Sequence, residues 1–361
     1  MRSVLPFRAL TVAFACILGL AIFPLGLQAK EVDMKRYITL TVKKGATIWL
    51  DLSGFEDDTP VRIVSGKTDI TFTVDYDEGG YIGYVGDFRR GIDAGASTMT
   101  IYGEVKHFDC SRNDENVTAL DVSHNDVLTW LFCYMNRLTS LDVSENLVML
   151  SCHSNLLTSL DVSKATIICS IDCSNNRISA LDLRNNPDLD ALLCHTNRLT
   201  SLDVSRNAML ENLYCHNNQI ASLNLRNNKA LAQLHCHNNR LTSLDVSRNP
   251  ELKAVDCSGN QLTALDVSKN SQLTVAFCWG NRLSTDAWNR FFCSLPDRSN
   301  MPNEQIIYPL DNRSDSQMPQ VLAANGNIAK RKGWEVSYYS EGKDTPITGF
   351  TGSYRCTKIY K

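Results

Sequence analysis

The sequence predicts a mainly β solenoid of nine coils over residues 105–283, its short parallel strands stacking from coil to coil between an N-terminal β cap and a C-terminal helical and irregular cap. Two observations carry this. Nine cysteines, Cys110, Cys133, Cys152, Cys173, Cys194, Cys215, Cys236, Cys257 and Cys278, fall at spacings of 23, 19 and then six intervals of 21 residues. Each is followed three residues later by an asparagine (Asn113, Asn136, Asn155, Asn176, Asn197, Asn218, Asn239, Asn260 and Asn281) and preceded by two by an apolar residue, from Phe108 and Leu131 to Val255 and Ala276.

Residues 1–29 carry Arg2 and Arg8, then a mostly apolar run from Ala9 to Leu27, then Gln28-Ala29 before charged Lys30-Glu31. That is the layout of a secretory signal cleaved after Ala29, and it predicts an exported chain, secreted or at the cell surface, with the periplasm as the alternative. A lipoprotein signal ending at Cys16 fits less well because bulky Phe14 precedes it. Without the leader, 34 basic residues face 39 acidic ones and no basic stripe stands out, which argues against a nucleic-acid partner. No second long apolar segment exists, so no transmembrane helix is expected in the mature chain.

Residues 30–104 alternate as strands do, at Ile38 to Val42, Ile48 to Leu52, Val61 to Val64, Ile70 to Val74 and Met99 to Ile101. Turns such as Ser53-Gly54, Ser65-Gly66 and Glu78-Gly79-Gly80 separate them, giving a small β domain joined to the first coil through Tyr102-Gly103-Glu104.

The repeating unit reads L-x-x-L-x-C-x-x-N-x-L-T-S-L-D-V-S-x-N-x-x, clearest from Leu210 to Ala230. It holds one short L-x-C strand and has no room for a helix. A lone coil buries too little to order itself, so neighbouring coils must supply hydrogen bonds and packing. The ladder asparagine sits at the turn after the strand, where a short amide both donates to and accepts from stranded backbone groups. The ladder cysteines point inward as small, inert thiols; their parallel Cβ vectors suit disulfides poorly. The 23-residue interval has two extra residues between Cys110 and Leu120, and the 19-residue interval is expected to lose two between Asn146 and Leu150. On the coil edge Asp121, Asp142, Asp161, Asp182, Asp203, Asp245 and Asp266 form a column, interrupted by Asn224. Backbone N–H groups of the following D-V-S turn are the expected compensation for these like charges, with calcium as the alternative.

Residues 284–361 form the C-terminal cap. Ser284 or Thr285 starts a helix whose apolar side is Trp288, Phe291, Phe292 and Leu295, stopped by Pro296. Ile306 to Tyr308 and Trp334 to Tyr339 are expected in an irregular lid, with a loose polar linker around Asp311 to Gln320. Cys293 and Cys356 lie outside the ladder and are expected to pair in an oxidising compartment, with Cys169 as a competitor.

The repeat resembles the cysteine-ladder leucine-rich repeats of internalin-like bacterial surface proteins, of the type common in Bacteroidetes. Leu283 to Arg298 (L-S-T-D-A-W-N-R-F-F-C-S-L-P-D-R) and Lys332-Gly333-Trp334-Glu335-Val336 resemble the C-terminal cap of such proteins. The resemblance covers roughly residues 105–340. It implies a leucine-rich-repeat solenoid acting as a non-enzymatic adhesin or interaction protein. The chain departs from Gram-positive internalins in showing no wall-sorting tail.

Function is expected on the outward sheet face, where alternate positions escape the repeat. The candidate ligand-binding residues are Phe132, Tyr134, His153, His195, Tyr214, His216, His235, His237, Phe277 and Trp279. Aromatics mixed with histidine suit a protein or glycan partner, on the bacterial surface or from a host. The alternative is that in-register rings only support one another, in a structural envelope protein without a specific ligand. A hydrolase needs one oriented nucleophile, base and oxyanion hole in a dry cleft, which an open repetitive sheet does not offer. His195, His216 and His237, with His235 nearby, supply metal-ligand atoms, but three residues in a line make no tetrahedral cage. No metal or cofactor is assigned.

Overall fold

The computed structural model describes residues 30–76, 89–301, 305–311, 316–339 and 344–356. The expected signal at 1–29 and the turn at Glu78-Gly79-Gly80 lie outside them. From Val32 onward the chain forms one compact unit.

Alternating burial produces the N-terminal strands: β1 (Tyr37–Val42), β2 (Thr47–Gly54), β3 (Thr59–Ser65), β4 (Thr68–Val74), β5 (Arg90–Asp93) and β6 (Thr98–Tyr102). In β1 and β6 the inward residues Ile38, Leu40, Val42, Met99 and Ile101 are buried. β5 has no signal in the sequence; it contains Gly91 and only Ile92 turns inward.

The first coil begins with β7 (Val105–Asp109) and continues to β8 (Val117–Asp121). β8 joins an antiparallel sheet in the order β4-β3-β6-β1-β8, whereas β2 pairs antiparallel with β7. The cap is therefore hydrogen-bonded into the first coil along two strands, a closer union than the linker reading of Tyr102-Gly103-Glu104 anticipates.

Eight further short strands follow in parallel register: β9 (Trp130–Phe132), β10 (Met149–Ser151), β11 (Ser170–Asp172), β12 (Ala191–Leu193), β13 (Asn212–Tyr214), β14 (Gln233–His235), β15 (Ala254–Asp256) and β16 (Val275–Phe277). The central residue of each is buried, as are all nine ladder cysteines. The two-residue insertion of the first coil holds a 3₁₀ turn, Asp114–Asn116.

The shortened coil corrects one detail. Its deletion falls before Ser144, not after Asn146. Ser144 turns inward and its Oγ donates to Asn125 O, and Leu147 N bonds Ser144 O as Leu210 N bonds Asn207 O in a full coil. Asn146 is left exposed on the rim. A hydroxyl reaches one carbonyl across the tightened turn, where two residues fewer leave no path for the longer amide.

The C-terminal cap starts with α1 (Thr285–Ser294), whose first turn is capped by Ser284 Oγ accepting from Ala287 N at 3.2 Å. Trp288, Phe291 and Phe292 are fully buried. Beyond it come β17 (Ile306–Leu310), α2 (Met318–Ala323), α3 (Asn327–Arg331), β18 (Glu335–Tyr338) and β19 (Thr345–Pro346). β17 extends the parallel sheet, pairing Val275 with Ile306 and Phe277 with Tyr308, and β18 extends it again. The segments expected as an irregular lid are thus sheet strands, and α2 occupies part of the expected loose linker. Their coils are long enough to carry helices, so the 21-residue period that betrays the other strands is lost. Cys293 at the end of α1 is disulfide-bonded to Cys356, with Cα atoms 5.7 Å apart, and Cys169 is a free thiol. Among the described residues, no helix is long and apolar enough to cross a membrane.

Candidate binding face on the parallel sheet

The face is held from behind by the asparagine ladder. Asn218 Nδ2 donates to Cys215 O in its own coil and to Cys194 O in the preceding one, both at 3.1 Å, while Oδ1 accepts from Leu199 N at 2.9 Å. The same pattern recurs from Asn155 to Asn281. Each ladder amide therefore staples two coils and satisfies carbonyls that the strand ladder leaves over. Asn113 does this to the cap: its Oδ1 accepts from Trp49 N and its Nδ2 donates to Trp49 O, so β2 stands in for a preceding coil. A second buried column, Asn186, Asn207, Asn228, Asn249 and Asn270, donates to two carbonyls of the coil before it. The repeat pattern contains this second asparagine, but spacing alone does not reveal its role.

The ladder thiols are free and buried. Burial pushes Cys173 and Cys215 up to about 12, and the remaining ladder thiols whose shift is resolved move the same way for the same reason. They act as small apolar filling. On the edge, six of the seven aspartates are compensated as expected: Asp121, Asp161, Asp182, Asp203, Asp245 and Asp266 each accept from the backbone N–H two residues on, at 2.8–3.1 Å.

After each strand one residue holds a positive φ, as in Met135 (53°), Thr196 (54°), Asn217 (53°) and Gly259 (59°). This left-handed residue turns the chain inward so that the ladder asparagine meets the backbone. Asn and Gly take the conformation readily, whereas a β-branched Thr resists it.

The ten candidate residues all lie on the outward face, and every one is half-buried. Neighbouring rings cover one another. Tyr134 stacks on His153 with centroids 4.5 Å apart, His195 on His216 at 4.2 Å and His216 on His237 at 4.1 Å. Tyr214 tilts against His235, and its hydroxyl donates to Gln233 Oε1 at 2.6 Å. Phe132 lies on the same face, with no ring contact of its own among the described residues. At the C-terminal end Phe277 stacks on Tyr308 and Trp279 on Tyr339, which is 46% exposed. Sequence reasoning misses Tyr308 and Tyr339 because β17 and β18 lie outside the period that marks the other strands. At the other end Trp130 stacks on His107.

Three coils replace rings with an Asp-Cys-Ser triplet, at Asp109, Asp172 and Asp256. In each the serine N–H and Oγ donate to Asp Oδ1. Asp109 Oδ2 takes the Arg89 guanidinium at 2.7 Å, whereas Asp256 Oδ2 lies 3.0 Å from His237 Nδ1.

Burial lowers the pKa of His195, His216 and His235; neighbouring imidazoles add to the effect and hold His216 near about 3. These rings are neutral at physiological pH. Burial would raise Asp256, but His237 and Ser258 outweigh it and hold the carboxyl below its ordinary value. Among the described residues the column His195, His216 and His237, to which no metal is assigned, does not bring three ligand atoms together. A different trio, His235, His237 and Asp256, brings ligand atoms within 4.8 Å of one another.

The sequence matches no family model, and no curated protein matches it. Among solved structures the chain is similar to the functional domain of InlJ from Listeria monocytogenes, which includes a cysteine ladder, at 28% identity over 68% of this chain and 56% of that one, with a TM-score of 0.49. It is also similar to a leucine-rich-repeat protein of Leptospira interrogans (23% identity, 48% of each chain, TM-score 0.45) and to YopM, a leucine-rich effector protein from Yersinia pestis (21%, 57% and 55%, 0.46). The chain spans about half the length of these proteins.

Proposed function

We propose that the protein is an exported, non-enzymatic scaffold that binds a protein or glycan partner through the outward face of the parallel sheet. One observation carries this reading. The inward positions repeat almost without change, while the outward ones hold a run of half-buried aromatics and imidazoles. Rigid amphipathic rings on a preformed sheet bind at low entropic cost. Mutual stacking explains why the rings are ordered but not why these coils, and not the Asp-Cys-Ser coils, carry them. The resemblance to internalin-like surface proteins of the kind common in Bacteroidetes, and the leader-like first 29 residues, support export.

The test has two parts. Protease added to intact producing cells should digest the protein if it is at the surface and spare it if it stays in the periplasm. The purified chain applied to arrays of glycans and of extracellular proteins should give a saturable signal that falls at least tenfold when Tyr214 and Trp279 are both changed to Ala. A signal unaffected by that double change would move the site off this face.

A further inference from the structure

We propose that His235, His237 and Asp256 form a site for a zinc-class divalent cation, independent of any partner bound elsewhere on the sheet. His235 ends β14 and His237 follows it two residues on, so both imidazoles emerge on the same face. Asp256 is directly opposite His235 on the next coil. The three offer two nitrogens and one carboxylate oxygen, the donor set that suits a four-coordinate zinc with one position left for water.

The chain contains its own comparison. Its three outward Asp-Cys-Ser triplets are built alike, with Oδ1 consumed by the serine and Oδ2 left over. At Asp109, which is buried, that oxygen is neutralised by Arg89. Asp256 is also buried, yet among the described residues its ion-pair partner is an imidazole and no guanidinium or ammonium reaches it. His237 Nδ1 is itself buried, has no well-formed hydrogen bond among the described residues, and lies 3.0 Å from the Asp256 carboxylate. A carboxylate oxygen and a ring nitrogen thus already stand side by side. A tetrahedral ion with bonds of about 2.0 to 2.1 Å separates its ligands by about 3.3 Å, close to the spacing these two already have. His235 is half-buried and needs only a side-chain rotation to bring its nitrogen in from within 4.8 Å. Asp172, the third triplet, follows a coil that carries Ser151 where His235 stands, and it has no such pair beside it.

The experiment is calorimetric titration of the purified, tag-free chain with zinc at neutral pH, with cobalt absorbance as the second readout. One ion per chain should bind saturably, and cobalt should give the visible bands of a four-coordinate complex. His235→Ala and Asp256→Asn should each weaken binding at least tenfold, while His195→Ala leaves it unchanged. Circular dichroism confirms that each variant is folded; His235, on the surface, serves if Asp256→Asn is not. Absence of saturable binding would overturn the proposal. So would equal binding by His235→Ala and the parent, or loss on His195→Ala alone, which would place the ion in the stacked column.

Discussion

The two sides of each strand obey different rules. Inward, Cys215 and its eight equivalents are identical, fully buried and stapled by asparagines whose every donor reaches a named carbonyl. Outward, one residue away, Tyr214, His235, Asp256 and Phe277 succeed one another without a period, the rings half-buried and held mainly by stacking and Asp256 buried against Ser258 and His237. The interior therefore carries the stability of the solenoid, and the face is free to vary because little of the fold depends on it.

Asn218→Ala should break this contrast most strongly. It leaves Leu199 N without an acceptor inside the coil and removes one of two donors from both Cys194 O and Cys215 O. A loss of about 3 kcal/mol is expected from urea unfolding. An unchanged midpoint would mean that the amide is dispensable. Cys215→Leu probes the same interior by volume: a coil narrowed to fit a thiol should lose about 1 to 3 kcal/mol to overpacking. If that variant were as stable as the parent, the narrow-interior account would fail.

Outward changes should cost less. Tyr134→Ala removes a single stack on His153 and is expected to lower stability by about 1 kcal/mol; a loss matching that of Asn218→Ala would erase the distinction between the two sides.

Acid should act on the face through its histidines. Burial lowers the His195 pKa below 6.5, with His237, His153 and His235 adding to the effect and Asp172 opposing it. Above pH 6.5 the ring is neutral in both folded and unfolded chains, so its contribution is fully present. As pH falls below 6.5 the unfolded chain takes up a proton that the folded one resists, and stability is lost. The parent should lose more melting temperature than His195→Phe between pH 7.5 and 5.0; parallel losses would show that this ring is not the sensor.

Thr196→Asn should have the smallest effect and the opposite sign. It relieves a β-branched residue at φ 54°, where Asn175, Asn217 and Asn238 already stand in other coils. A gain of about 0.5 to 1 kcal/mol is expected by chemical denaturation, and a loss would mean that the Thr196 contact with His195 Nδ1 outweighs the backbone strain.

The same division governs what is legible in the sequence. Nine Cys and nine Asn at fixed offsets declare the strands, their register and the inward turn, because stacking forces one solution on every coil. The register then places all ten candidate residues on one face. The features that spacing hides lie where the period breaks. Ser144 replaces an asparagine in a coil two residues short, and β17 and β18 sit in coils lengthened by helices. The trio of His235, His237 and Asp256 escapes for another reason. A column along the stack is the obvious alignment, whereas ligands converge along a strand and across to its neighbour. That depends on ring orientation, which spacing does not specify.

The central claim is that binding and stability reside on opposite sides of the same strands, and a paired calorimetric titration tests it most directly. With a partner identified from the arrays, the Tyr214→Ala, Trp279→Ala double variant should bind at least tenfold more weakly than the parent while remaining folded, and Asn218→Ala, held below its lowered melting temperature, should bind as the parent does. Equal affinity for the double variant, or weakened binding by folded Asn218→Ala alone, would contradict the account.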